Sequence, residues 1–174
     1  IVIAVTAHGD LADASPVLRS TAKPGDLVVV AGTLGKAAAG LALLNFDDPT
    51  AAASYEELVA IQLRPSPDVV LGLEISKTAT AMMDISDGLV LDASRLAHAS
   101  GVSIELDAAA GLDEDALAGG EDHGLLATFP PDAAIPEGFR LIGHVGPGEP
   151  GVFLAGQQLN PHAGGWDPFV NRAQ

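Results

Sequence analysis

Apolar positions along this chain follow two periods, and the changes between them mark out the elements. Leu27 to Val30 is an unbroken apolar run behind the turn Pro24-Gly25, the pattern of a buried strand. Gly32-Thr33-Leu34-Gly35 then opens a helical pattern through Ala39, Leu41 and Leu44. Ser54 to Glu57 starts a short helix, with Ser54 as cap and Glu57 in capping-box position. Arg64-Pro65-Ser66-Pro67 ends it, and Leu71, Leu73 and Ile75 belong to a second helix. The apolar run Ala79, Ala81, Met82, Met83 breaks at Asp84-Ile85-Ser86-Asp87-Gly88, and behind it Leu89, Ala93, Leu96 and Ala97 repeat with a helical period. Gly101 to Leu106 alternates like a strand with one wet face. A small acidic helix around Asp113 to Ala118 stops at Gly119-Gly120. Leu125 to Phe129, Phe139 to Val145 and Gly151 to Leu154 read as strands, and the short turns between them predict antiparallel pairing there. Ile1 to Thr6 reads as a further strand. The expected fold is α/β (α+β), a mixed and partly antiparallel sheet with packed helices, not an all-parallel doubly wound one.

Composition narrows the function. A chain of 174 residues, 48% of them hydrophobic, buries a core and is most simply one domain. No apolar run approaches the roughly 18 residues of a membrane span. There is no cysteine, which excludes disulfides, thiolate catalysis and thiolate zinc sites and is compatible with a cytoplasmic protein. The net charge of −15 argues against nucleic acid or an anionic membrane as partner. A nucleotide remains compatible, because divalent cations can sit between an acidic site and a polyphosphate. The opening strand has no initiator methionine, no preceding turn and no signal-peptide pattern, so the chain is expected to begin inside a longer protein.

The acidic break at Asp84-Ile85-Ser86-Asp87 is the first candidate site, since strand-to-helix junctions of α/β folds expose reactive groups. Two readings stand. Asp87 or Ser86 caps the following helix, or Asp84 and Asp87 together hold a hard cation, magnesium or calcium. The Gly32-Thr33-Leu34-Gly35 turn could place N–H groups around a phosphate, but it lacks both the P-loop ending and the dinucleotide spacing. Gly119-Gly120-Glu121-Asp122-His123 reads either as a helix stop with a solvated turn or as backbone brought close to something. Trp166, near the end, reads as a core or lid anchor.

Taken in order, Arg19-Ser20-Thr21-Ala22-Lys23-Pro24-Gly25-Asp26, Gly32-Thr33-Leu34-Gly35, Thr80 to Leu89, Gly119-Gly120-Glu121-Asp122 and Gly165-Trp166-Asp167-Pro168-Phe169 resemble the thiamine-monophosphate kinase family over essentially the whole chain. The resemblance implies the aminoimidazole-ribonucleotide-synthetase fold and ATP-dependent phosphorylation of thiamine monophosphate to thiamine diphosphate. Rival readings are a relative with another acceptor, such as a synthetase, selenophosphate or hydrogenase-maturation enzyme, or a domain that binds without turnover. The resemblance also implies that residues 1–26 connect from an amino-terminal domain to a carboxy-terminal domain at 27–174, that the isolated chain is inactive, and that the full-length protein is a homodimer. Carried over by position, Asp84 and Asp87 match magnesium ligands, and Arg19 and Ser86 match ATP contacts. Glu121 matches a substrate-binding acid, and Trp166, with Phe169 in competition, the aromatic near thiamine. His123 stands where many members carry tyrosine and receives no role.

Overall fold

Strand β1 (Leu27–Ala31) is flanked on both edges, by β4 (Gly124–Phe129) and β5 (Phe139–Gly146), each antiparallel to it. Both faces of β1 are covered as well, which explains why its Leu-Val-Val-Val-Ala run carries no polar alternation: Val28 and Val30 face one core, Val29 the other. The sheet completes in the order β2-β4-β1-β5-β3-β6-β7, with β2 Ala81–Ile85, β3 Ser103–Leu106, β6 Gly151–Leu154 and β7 Gln157–Gln158. The computed structural model describes residues 2–12, 14–45 and 55–163.

Five helices accompany these strands among the described residues: α1 (Lys36–Leu44), α2 (Glu56–Leu63), α3 (Val69–Ile75), α4 (Leu89–Ser100) and α5 (Glu114–Ala118). Helix α4 fills the main core. Leu89, Ala93, Leu96 and Ala97, the residues whose spacing predicted it, are fully buried against Val28, Val30, Ile85, Ile104, Leu126 and Ile142. Burial of this apolar seam is favourable by about 25 cal/mol per Å² removed from water. Gly101, in left-handed conformation at φ 69°, ends the helix. The opposite face is covered more thinly: Ile75 of α3 packs on Val29, Ala127 and Phe129, and Phe139 meets Phe129 edge-on at 6.3 Å.

The mixed α/β class agrees with expectation, but the pairing of the last strands does not. β4 and β5 follow each other in the chain yet lie apart, with β1 between them. β6 follows β5 after a four-residue turn and still passes β3, with which it pairs in parallel. Short connections limit reach without choosing the neighbour. Residues 2–6 are not a strand: Val2, Ile3 and Val5 are 97%, 82% and 88% exposed and no described strand pairs with them. Apolar alternation without a ladder partner makes no strand. Tyr55, without a side-chain bond, stands at the cap of α2. The expected cap Ser54 lies outside the described residues.

Candidate functional site

At one end of the sheet, the turn after β1, the turn after β2 and the turn before β4 come together. The Glu121 N–H donates to the Ser86 carbonyl at 2.8 Å, tying the last of these turns to the acidic one. A Cβ at Gly120 would lie 2.7 Å from the Ser86 carbonyl oxygen, so this approach excludes any side chain at 120. Asp122, nearly buried, extends the tie to the first turn. Its Oδ1 accepts from the Thr33 hydroxyl at 2.6 Å and from the Lys36 and Ala37 N–H groups at 3.2 and 3.4 Å, capping α1 from far along the chain. The glycine turn before α1 is therefore filled by a carboxylate of the protein itself. Glu121 and His123 both hold left-handed backbone, φ 70° and 53°, and their side chains approach to 3.5 Å. Non-glycine residues in that region persist only where surrounding bonds impose them.

The acidic turn has a support that spacing does not reveal. Gly88 stands at the start of α4 without a side-chain cap, so neither Ser86 nor Asp87 caps that helix. The helix instead caps the turn: Asp92, with no exposure, accepts the Ser86 and Asp87 N–H groups on Oδ2, both at 2.9 Å. Arg95 Nη1 then joins two carboxylates, Asp92 Oδ1 at 2.6 Å and Asp87 Oδ2 at 2.5 Å. Burial pushes the Asp92 carboxyl above its ordinary value, outweighing the two N–H donors and Arg95. Burial also works against the Arg95 charge, but its bonds to Asp87 and Asp92 prevail and its pKa is raised. Asp92 and Arg95 were missed as residues of this site. Their i,i+3 spacing shows a helical pair, but not that the pair points at the turn.

The six expected site residues fall into four groups. Ser86, Asp87 and Glu121 are brought together by the bond and close approach just described. Asp84 shares their end of the sheet but sits on the other face of β2, exposed, in a concavity of about 500 Å³ with Met82, His123 and Leu125. Pleating explains this, since Ala81, Met83 and Ile85 turn toward α4 and Met82 and Asp84 turn away. Arg19 belongs elsewhere: its carbonyl accepts from the Ser100 hydroxyl at 2.9 Å, at the far end of α4. At 1.5 Å per residue that is about 17 Å along the helix from the acidic turn. Trp166 and the competing Phe169 lie outside the described residues.

Residues 23–148 match the model of the AIR synthase related protein, C-terminal domain. This chain belongs to that family. The thiamine-monophosphate kinase of Mycobacterium tuberculosis is 40% identical over 188 residues, covering 97% of this chain and 54% of the relative. A solved structure, AaThiL complexed with AMPPCP and TMP, superposes with a TM-score of 0.73 at 38% identity, covering 88% of this chain and 54% of that one. The Escherichia coli hydrogenase maturation protein HypE, at 23% identity and TM-score 0.60 over 83% of this chain and 52% of its own, shares the fold. The chain thus spans about half the length of the curated relatives it matches. No described helix of this AIR-synthase-type domain is long and apolar enough to cross a membrane.

Magnesium fits the donors at the acidic turn. Asp84 is an exposed carboxylate, Asp87 keeps Oδ1 free of described partners, and every candidate donor is oxygen. No three described His, Cys, Asp or Glu residues gather as a metal cage. Set on different faces of β2, Asp84 and Asp87 would each offer a cation a carboxylate of its own, with phosphate or water oxygens completing the shell.

Proposed function

We propose that this chain is the carboxy-terminal domain of a kinase that transfers the terminal phosphoryl group of ATP to thiamine monophosphate. The single observation that supports this best is the 40% identity to a thiamine-monophosphate kinase across 97% of the chain. The chain covers 54% of that relative, and in our reading an amino-terminal domain accounts for the remainder, with residues 1–26 as the connection to the domain at 27–174. In this reading Asp84 and Asp87 are the magnesium ligands, and Ser86 contacts ATP. Bound magnesium would neutralise charge on the phosphate oxygens as it develops during transfer. The chain's own residues hold and orient. Asp92 fixes the backbone of Ser86 and Asp87, and the bond from Glu121 N–H to the Ser86 carbonyl sets the substrate acid beside the nucleotide turn. The Glu121 carboxylate favours the cationic thiazolium, and Trp166 offers it an aromatic face. Arg19, at the far end of α4, serves a phosphate held away from the acidic turn of the same copy. The acceptor phosphate attacks directly, so no nucleophilic side chain is required. We place the full protein in the cytoplasm, as a homodimer without nucleic-acid or membrane partners.

The test is production of thiamine diphosphate from thiamine monophosphate and ATP by the two-domain protein. With Asp87→Asn, kcat is expected to fall about a hundredfold or more, with only a small shift in Tm. Undiminished turnover in that variant would return Asp87 to a structural role.

A further inference from the structure

Building on the assignment of Asp87 as a cation ligand, we propose that Arg95 decides which cation this turn accepts. Most exposed ion pairs yield readily, because water solvates both partners as they part. Arg95 is held differently. Its side chain is 34% exposed and that of Asp87 24%, but Asp92, its second partner, is 1% exposed. Withdrawing Arg95 from Asp87 by a swing of the whole side chain would strip a buried carboxylate of the cation that balances it, leaving only two N–H donors. Arg95 therefore stays when a metal arrives, and Asp87 Oδ2 stays engaged with it.

Two consequences follow for a cation at Asp87. Only Oδ1 is available, so Asp87 binds through one oxygen. Magnesium, octahedral with bonds of about 2.0–2.1 Å, loses nothing by this, whereas calcium commonly gains from a carboxylate that offers both oxygens. The fixed guanidinium also repels any dication, so loading in the absence of a polyphosphate is weak. Arg95 thus favours magnesium over calcium and makes the cation enter with its nucleotide. Nothing in a DxSD spacing shows this selectivity. It comes from a helix residue two turns past the junction, held by a carboxylate that itself touches no ligand.

The experiment uses the two-domain protein with a non-hydrolysable ATP analogue and no acceptor. Manganese(II) binding is followed by electron paramagnetic resonance, with magnesium and calcium as competitors. Arg95→Gln is expected to tighten calcium about tenfold more than magnesium and to strengthen manganese binding without nucleotide. Arg95→Lys, which keeps the charge against Asp92, is expected to restore most of the magnesium preference. An unchanged magnesium-to-calcium ratio in Arg95→Gln, while Asp87→Asn still weakens all three cations, overturns the role of Arg95 and leaves the site reading standing. Cation binding unaffected by Asp87→Asn overturns both.

Discussion

A carboxylate without exposure keeps its charge only if protein donors replace the water it has lost. Asp92 receives the Ser86 and Asp87 N–H groups and Arg95, yet burial still leaves its pKa above the ordinary 3.8. The folded chain therefore holds that proton more readily than the unfolded chain does. The resulting contribution to stability is largest below the unfolded value and declines as pH rises through the folded one. In urea unfolding of chelator-treated protein, wild type relative to Asp92→Asn is expected to be more stable at about pH 4 than at about pH 6.5. An equal difference at both pH values would contradict it. Asp84 and Asp87 were legible as candidates because two carboxylates at a strand-to-helix break are more than one helix cap needs, whereas Ser86 and Glu121 received their roles from the family resemblance. Asp92 and Arg95 were not legible, since a buried carboxylate and a half-exposed arginine inside an amphipathic helix look like ordinary helix residues. Only their partners distinguish them.

Between elements, glycine carries a message that a single turn cannot give. Gly120 touches Ser86 across 34 positions of sequence, and Asp122 caps α1 from more than 80 positions away. Gly120→Ala is expected to cost about 2 kcal/mol by forcing the two turns apart. Gly9→Ala, with nothing within 4 Å, serves as the neutral control in the same chemical denaturation series. Asp122→Ala removes the Thr33 bond and two helix N–H bonds, and a loss of about 1–2 kcal/mol is expected. A result within error of wild type for Asp122→Ala would mean that water caps α1 equally well. The helices and most strands were readable because each answers to its own apolar period. The Gly32-Thr33-Leu34-Gly35 turn looked like a weak phosphate cradle from its glycines, and the structure shows it occupied by Asp122.

For the whole molecule, the site lies at one end of a sheet whose two faces are unequally covered. Val69, Val70 and Leu73 on α3 are 66%, 62% and 68% exposed, beside the concavity that holds Asp84. If the kinase reading holds, these 174 residues purified alone give no thiamine diphosphate at any magnesium concentration, while the two-domain protein does. Robust product from the chain alone, abolished by Asp84→Asn, would contradict that division of labour. By itself the sequence determined the mixed class, the α4 core seam and the candidate carboxylates, because local period and turn chemistry act over a few residues. The resemblance in its motifs pointed to the family to which the chain belongs. Tertiary structure alone decided that β1 separates β4 from β5, that β3 separates β5 from β6, and that residues 2–6 pair with nothing described. It also decided that Arg19 lies away from the acidic turn and that Asp92 with Arg95 holds it. Such choices depend on which distant surfaces bury each other and which donors reach a buried charge, and no local period encodes either.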